Sequence, residues 1–245
     1  MLAHYCLKTQ PAQWDFAHFI VLIKSININH VIFFNLENIQ INKYVHCSNP
    51  KEIALNRFHK IVLPLCNLAN VTYEIKNYDI KEKKLIWALQ DNACYFYKVN
   101  KYLWKFNSVK EKSNYVTFTI RNSIRNKFRD SSQSWKEFAK ILADKKINVK
   151  IILDNELNSI TVEERFKLYS KATMNYTVGN GPAALLYYSD MPYKLWIKGI
   201  NPGNYNENLA KLWSSFKRDE NFPFAEANQN LIWEEDTLES LLKNI

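Results

Sequence analysis

Glycine is nearly absent from this sequence. The 245 residues hold four, Gly179, Gly181, Gly199 and Gly203, and none occurs in the first 178 positions. A glycine-rich phosphate loop in the first half is thereby excluded. The four cysteines (Cys6, Cys47, Cys66, Cys94) show no CxxC spacing, so they read as buried free thiols and not as a disulfide frame or zinc site. His4, His18, His30, His46 and His59 all fall in the first quarter, but no pair has the HExxH spacing of a metal site. No DxD pair is present either. No apolar run approaches the roughly 18 to 20 residues that span a bilayer. The best, Phe16 to Ile26, is broken by His18 and Lys24 and suits a buried helix. The first ten residues lack the basic and apolar regions of a secretory signal, so the chain is expected to fold in the cytosol.

What is present is a sizeable core and an uneven charge. Hydrophobic residues make up 47% and aromatic residues 14%, enough to fill two compact α/β halves in a chain of this length. The formal net charge is +9. Between Lys98 and Lys150 there are fourteen Lys or Arg against four acids, a surplus of ten, so this one stretch accounts for the whole excess. Such a band suits the phosphates of a small ligand, an anionic membrane surface or nucleic acid, or is simply solvated lysine.

A chain so sparing with glycine is expected to keep it where φ must be positive or where another group comes close. Two of the four stand in Val178-Gly-Asn-Gly-Pro182. Thr173 to Val178 reads as a strand and Ala183 to Tyr188 as a helix with Pro182 in its first turn. Strand, glycine turn and helix start together offer backbone N–H groups to a phosphate, which makes Asn180, Gly181 and Pro182 candidate contacts. The alternative is an ordinary tight turn. Upstream, Tyr115 to Arg121 alternates as a strand, with Arg121 at its C-terminal end and Arg125 and Arg129 in the polar loop beyond. Ser132 or Ser134 is a plausible cap for a helix over Trp135 to Lys145. Val149 to Leu153 reads as a strand, Thr161 opens a capping box for a helix through Lys171, and Tyr193 to Ile197 is a further strand. The order βαβαβαβ predicts a parallel sheet with the arginine loop and the glycine turn on one edge. The tail, Asn228 to Asp236, leads into a short helix around Leu238 to Leu242 that Asp236 or Thr237 can cap. Glu234, Glu235 and Asp236 read as a solvated helix start and not as metal ligands.

The first half is again α/β. Trp14-Asp15-Phe16 precedes a helix over Ala17 to Lys24. Val31 to Asn35 and Val71 to Ile75 read as strands, and Pro50 to Leu63 as a helix carrying Arg57 and His59. Residues 85–97 show no single period. Residues 98–112 are polar and basic and divide the chain into residues 1–112 and 113–245.

YVTFTIRNSIRNKFRDSSQSW and ERFKLYSKATMNYTVGNGPAALLYYSDMPYKLW resemble the second domain of GT-B glycosyltransferases, in particular the heptosyltransferase-like branch. WDFAHFIVLIK and NQNLIWEED are similar to glycosyltransferase-like proteins of bacterial surface-polysaccharide loci. The resemblance implies two Rossmann-like halves with parallel sheets, the first reduced and on the acceptor side, the second binding a nucleotide sugar. It implies an inverting transfer to a glycan or lipid-linked acceptor, with no metal or cofactor beyond the nucleotide-sugar co-substrate. Asp15 would then be the base that deprotonates the acceptor hydroxyl, although it can equally cap the helix that follows. Arg121, Arg125 and Arg129 would neutralise the leaving diphosphate, and Asn180, Gly181 and Pro182 would form the turn facing it. The family's usual glycine turn after the first strand is missing. A non-catalytic nucleotide-sugar or glycan-binding relative is the second reading. Peripheral contact with an anionic membrane fits the basic band, whereas no nucleic-acid-binding module is recognisable.

Overall fold

A computed structural model describes residues 2–10, 12–41, 49–77, 103–120, 132–153, 160–198, 220–222 and 224–245. The chain divides into two compact units, Met1–Phe106 with Thr161–Glu163, and Asn107–Ile160 with Glu164–Ile245. Each carries a parallel sheet, so the α/β class is as expected.

In the first unit, β1 (Ala3–Cys6), β2 (His30–Phe34) and β3 (Thr72–Lys76) lie in that order, all parallel. The sequence reading missed β1. Helix α1 (Phe16–Ser25) is buried along almost its whole length, from Phe16 to Ile23. Its Phe16 and Phe19 pack edge-on against Tyr5 of β1, and Phe16 lies tilted against Phe33 of β2, with ring centroids 4.9 to 5.6 Å apart. The helix expected over Pro50 to Leu63 is longer: α2 (Pro50–Arg57) passes through a π turn (Phe58–Val62) into α3 (Leu63–Leu68). The cause is Pro64, whose ring would collide with the Lys60 carbonyl in a regular helix; the wider turn accommodates it without ending the helix.

The second unit holds β4 (Val116–Ile120), β5 (Val149–Leu153), β6 (Met174–Val178), β7 (Tyr193–Lys198) and β8 (Gln229–Glu235). Their spatial order is β5-β4-β6-β7-β8, with every pair parallel. This is the 2-1-3-4-5 order of doubly wound sheets, whose topological switch point lies between the first and third strands, here β4 and β6. Helix α4 (Ser132–Asp144) begins three residues before Trp135, so Ser132 is within the helix and neither expected serine lies outside as its cap. Helix α5 (Val162–Lys171) begins just after Thr161. A 3-10 turn (Gly181–Ala183) runs into α6 (Ala184–Tyr187), and α7 (Leu238–Lys243) closes the chain. Thr237, not Asp236, caps α7, accepting from the Ser240 N–H at 3.2 Å.

One face of this sheet is an aromatic core. Phe118, Tyr176 and Trp196 meet Trp135, Phe138 and Leu142 of α4, and Leu241 of α7. Phe118 stacks on Phe138 at 5.0 Å, and Trp135 meets Trp196 edge-on at 5.4 Å. Both indoles are also tied at their polar ends. Trp135 Nε1 donates to Asp236 Oδ2 at 2.8 Å, and Trp196 Nε1 to Ser240 Oγ at 2.9 Å. Ser240 Oγ passes the chain on to Glu234 Oε2 at 2.8 Å. Two of the three acids of the tail, Glu234 and Asp236, are therefore structural: Glu234 also pairs with Lys243 at 2.7 Å, and this ion pair and the Ser240 hydroxyl hold its carboxyl below its ordinary range. Strand β8, which the sequence reading also missed, is clamped at its start by Gln229. Its Nε2 donates to the Ser189 and Met191 carbonyls, both at 2.8 Å, and its Oε1 accepts from Glu226 N–H at 2.9 Å.

The scarcity of glycine has a structural counterpart. Three helices end in left-handed residues that are not glycine: Asn27, Asn70 and Lys146, with φ of 60°, 51° and 62°. In each case the next residue's N–H returns to a carbonyl five residues back: Ile28 to Ile23, Val71 to Cys66 and Ile147 to Leu142, at 2.8 to 2.9 Å. These are Schellman caps, for which asparagine is the second choice after glycine and lysine a costly one.

Two stability outcomes follow. Lys146→Gly should raise the free energy of unfolding by about 1 kcal/mol, because it removes the left-handed penalty at that cap. Trp135→Phe should lower it by about 3 kcal/mol, since it shrinks a filled site and takes the indole donor from buried Asp236. Asp236→Asn keeps an acceptor and should cost less. Urea titrations with an unchanged slope would measure all three. Equal losses for Trp135→Phe and Asp236→Asn would show that the hydrogen bond contributes little.

Candidate functional site

Parallel α/β sheets bind ligands beyond the carboxyl ends of their strands, where loops and helix starts converge. In the second unit, Thr119 of β4 pairs in register with Thr177 of β6, so these strands end side by side at Ile120 and Val178. The turn Gly179–Pro182 therefore begins at the switch point, next to the place where the chain leaves β4. Arg121, Arg125 and Arg129 follow β4 in sequence and lie outside the described residues.

The turn is rigid. Gly179 stays in register with β7 through its N–H to the Trp196 carbonyl at 3.0 Å. Asn180 is extended (φ −139°, ψ 173°), and its Oδ1 accepts from the Ala183 N–H at 3.1 Å, capping the 3-10 turn. Capping uses one end of the amide only. Asn180 is 6% exposed, and its Nδ2 is buried with no hydrogen-bond partner. Pro182 is buried at the first turn and has no N–H to lose. Neither Gly179 nor Gly181 has positive φ, which corrects half of the sequence expectation. Gly181 stands in the 3-10 turn directly before Pro182, where the proline ring crowds any Cβ on the preceding residue, so the backbone itself favours glycine there. Both residues also leave the edge of the sheet free of side chains.

Sequence reasoning missed a buried polar network directly beneath this edge. Thr117, Thr119, Asn175 and Thr177 occupy adjacent register positions on the face opposite the aromatic core, and all four are buried. Thr117 Oγ1 meets Asn175 Oδ1 at 2.5 Å, and Asn175 Nδ2 donates to the Tyr169 and Pro192 carbonyls at 3.2 and 2.9 Å. Thr119 Oγ1 meets the Tyr169 hydroxyl at 2.6 Å. Arg165, only 3% exposed, donates to that hydroxyl at 3.2 Å and to the Leu153 carbonyl at the end of β5 at 3.4 Å. One guanidinium thus links the ends of β5 and β4. The signal was there: Val162, Arg165, Phe166 and Tyr169 follow the i, i+3, i+4, i+7 spacing of a buried helix stripe, and Arg165 interrupts it with a charge.

In the first unit, Asp15 closes the loop that leaves β1. It stands at the head of α1 with φ −60° and ψ −20°, and its side chain makes no capping bond to that helix. The capping reading therefore falls. Its carboxylate instead accepts from Gln13 Nε2. Two buried titratable groups feel its charge. Burial pushes the Tyr5 phenol well above its ordinary range, and Asp15 pushes it further. Burial lowers His18, while the Asp15 carboxylate opposes that shift. In the same loop the Thr9 hydroxyl and the Gln10 Oε1 are buried without partners. Among the described residues no His, Cys, Asp or Glu group is arranged to hold a metal ion, and no helix is long and apolar enough to cross a membrane.

No family model, curated protein or solved structure matches the chain. Function has to be read from these residues and their geometry.

Gly181→Ala should lower stability by about 1 kcal/mol, because a Cβ before Pro182 strains the helical turn, whereas Gly179→Ala should change it by no more than a few tenths of a kcal/mol. Melting curves check both. A loss above about 1 kcal/mol for Gly179→Ala would mean that the turn is packed too tightly for a methyl group, and so too tightly for a ligand.

Proposed function

We propose that the protein is a GT-B-type glycosyltransferase that moves a sugar from a nucleotide-sugar donor to a glycan or lipid-linked acceptor in surface-polysaccharide synthesis. The observation that carries this reading is the pair of side-chain-free residues, Gly179 and Gly181, at the switch point of a five-stranded parallel sheet. An edge kept clear of Cβ atoms lets a diphosphate approach the backbone, and the unpartnered Nδ2 of Asn180 adds a donor in the same turn. Arg121, Arg125 and Arg129, which follow the neighbouring strand in sequence, supply the positive charge that the leaving diphosphate needs.

Asp15 is the proposed base. It sits at the carboxyl end of a parallel strand in the other unit and is not occupied in capping. A carboxylate placed there can take the acceptor's hydroxyl proton as the sugar is transferred, and Gln13 fixes one of its oxygens. Arginines and backbone donors would stabilise the departing nucleoside diphosphate, so this mechanism assigns no step to a metal.

Calorimetry with nucleoside mono- and diphosphates tests the donor site. The wild-type protein should prefer the diphosphate, and Arg121→Ala should lose roughly ten- to a hundredfold in its affinity, erasing most of the preference. Arg121→Lys should recover part of it, because an ammonium cannot reproduce the planar fork. Gly179→Ala should weaken the diphosphate while leaving the fold intact. If all these proteins bind both nucleotides alike, the donor-site assignment fails. Asp15→Asn should reduce turnover by orders of magnitude with nucleotide affinity retained. Retained turnover removes Asp15 from the mechanism. Tight diphosphate binding with no transfer to any acceptor, in the wild-type protein too, would leave a nucleotide-sugar-binding relative of the same fold.

A further inference from the structure

Among the described residues, the outer side of β5 is open. This strand pairs with β4 alone, and among the described residues no chain runs along its other side. Native sheet edges are blunted by a bulge, a proline, a charge pointing outward or a covering element. β5 has a regular register and no proline, and its one charge is turned away: Lys150 Nζ lies 4.0 Å from the centroid of the Tyr115 ring, over the sheet. Meanwhile Ile151 and Leu153, on the face shared with α4, are 46% and 45% exposed. Between β5 and α4 runs a groove of about 550 Å³, lined by the apolar Ala143, Ile147, Val149 and Ile151 and by Lys140 and Lys146.

The charge around this groove is net positive. Lys136, Lys140, Lys145 and Lys146 are exposed, and none pairs with a carboxylate among the described residues. Glu137 and Asp144 are the exposed acids on α4, so the lysines outnumber them by four to two. Three features coincide: strand backbone unpaired among the described residues, an apolar groove beside it, and an excess of lysines.

They select among occupants. A lipid surface can match the lysines and the aliphatic side chains but cannot pair the N–H and C=O groups of the strand. A second copy can pair the strand, but it brings the same α4 lysines up against these. An extended, acidic segment satisfies all three. We propose that β5 is a docking edge for an extended segment of a partner protein, acidic overall and apolar at alternate positions. The segment adds as a sixth strand, its apolar side chains enter the groove, and its carboxylates sit in the field of Lys140 and Lys146. This proposal is independent of the sugar-transfer reading.

The probe is a fluorescently labelled eight-residue peptide alternating glutamate and valine, with a lysine–valine counterpart as control, measured by anisotropy on the full chain. The glutamate peptide should bind and weaken as ionic strength rises, and the lysine peptide should not bind. Lys140→Glu combined with Lys146→Glu should weaken the glutamate peptide by roughly tenfold or more and admit the lysine peptide. Ile151→Lys should have a similar effect on the glutamate peptide. All three positions are exposed, and circular dichroism confirms that the variants fold. Hydrogen exchange on the saturated complex should show new protection at residues 149–153, the sign of backbone pairing. The proposal is overturned by any of four results: no binding of the glutamate peptide, binding without protection of β5, equal affinity for the charge-reversed variant, or an edge closed by self-association in sedimentation. Binding to phosphatidylserine vesicles that the Lys140 and Lys146 substitutions abolish, with the peptide inert, would likewise replace it with a membrane surface.

Discussion

The second unit depends on two tryptophans that are held at both ends. Trp135 and Trp196 fill the aromatic face of the sheet, and their indole N–H groups reach Asp236 and Ser240 at the far end of the sequence. A buried indole without an acceptor, or a buried carboxylate without a donor, costs about 1 to 3 kcal/mol or more, so the tail and α4 can pack only in the register that matches both. That requirement fixes α7 against α4 and brings β8 beside β7. Gln229 does the same job at the other end of β8, where one amide satisfies two carbonyls and an N–H. The sheet's last strand is thus specified by polar contacts made between segments far apart in sequence.

Strand β8 shows why part of the fold was hard to read from sequence. Its seven residues, QNLIWEE, begin with two amides and end with two acids, and have little of the β-branched character that marks a strand. Its β-structure comes from tertiary partners that a local reading cannot see. β1 is short, only Ala3 to Cys6, and lacks a clear alternation. By contrast β4, β6 and β7 were legible because each is an apolar or alternating run bounded by turn residues. The parallel order followed from helices intervening between them. The candidate site divides in the same way. Asn180, Gly181 and Pro182 stood out by composition, whereas Arg165 was hidden as one more charge on a charged helix until its place on the buried stripe was counted.

The glycines illustrate a different limit. Rarity made Gly179 and Gly181 conspicuous, but rarity does not say which property of glycine is being used. This chain forms left-handed caps from Asn27, Asn70 and Lys146, and places Asn35 at φ 61° after β2. Positive φ is therefore obtained without glycine wherever the described chain needs it. Neither glycine after β6 has positive φ; Gly181 instead precedes Pro182 in a helical turn, where a Cβ would crowd the proline ring, and both residues keep the sheet edge clear of side chains.

The polar face of the same sheet bears on how that edge behaves. Faces of parallel sheets are normally apolar, and burying Thr117, Thr119, Asn175 and Thr177 is tolerable only if their groups find partners. Thr117 and Asn175 pair with each other, Asn175 also reaches the Tyr169 and Pro192 carbonyls, Thr177 donates to the Val178 carbonyl, and Thr119 meets the Tyr169 hydroxyl that Arg165 holds, so directional contacts join β4, β5, β6 and α5 just below the switch point. Apolar packing would let these strand ends shift by fractions of an ångström at small cost. A network of hydrogen bonds to a buried guanidinium makes such shifts expensive, because each one lengthens a bond in a medium of low dielectric constant. A turn that must present backbone donors to a ligand gains from that stiffness, since little reorganisation remains to be done on binding. The buried arginine is then best understood as the support of the turn. It holds the ends of the strands in place beneath the turn where the proposed diphosphate would lie.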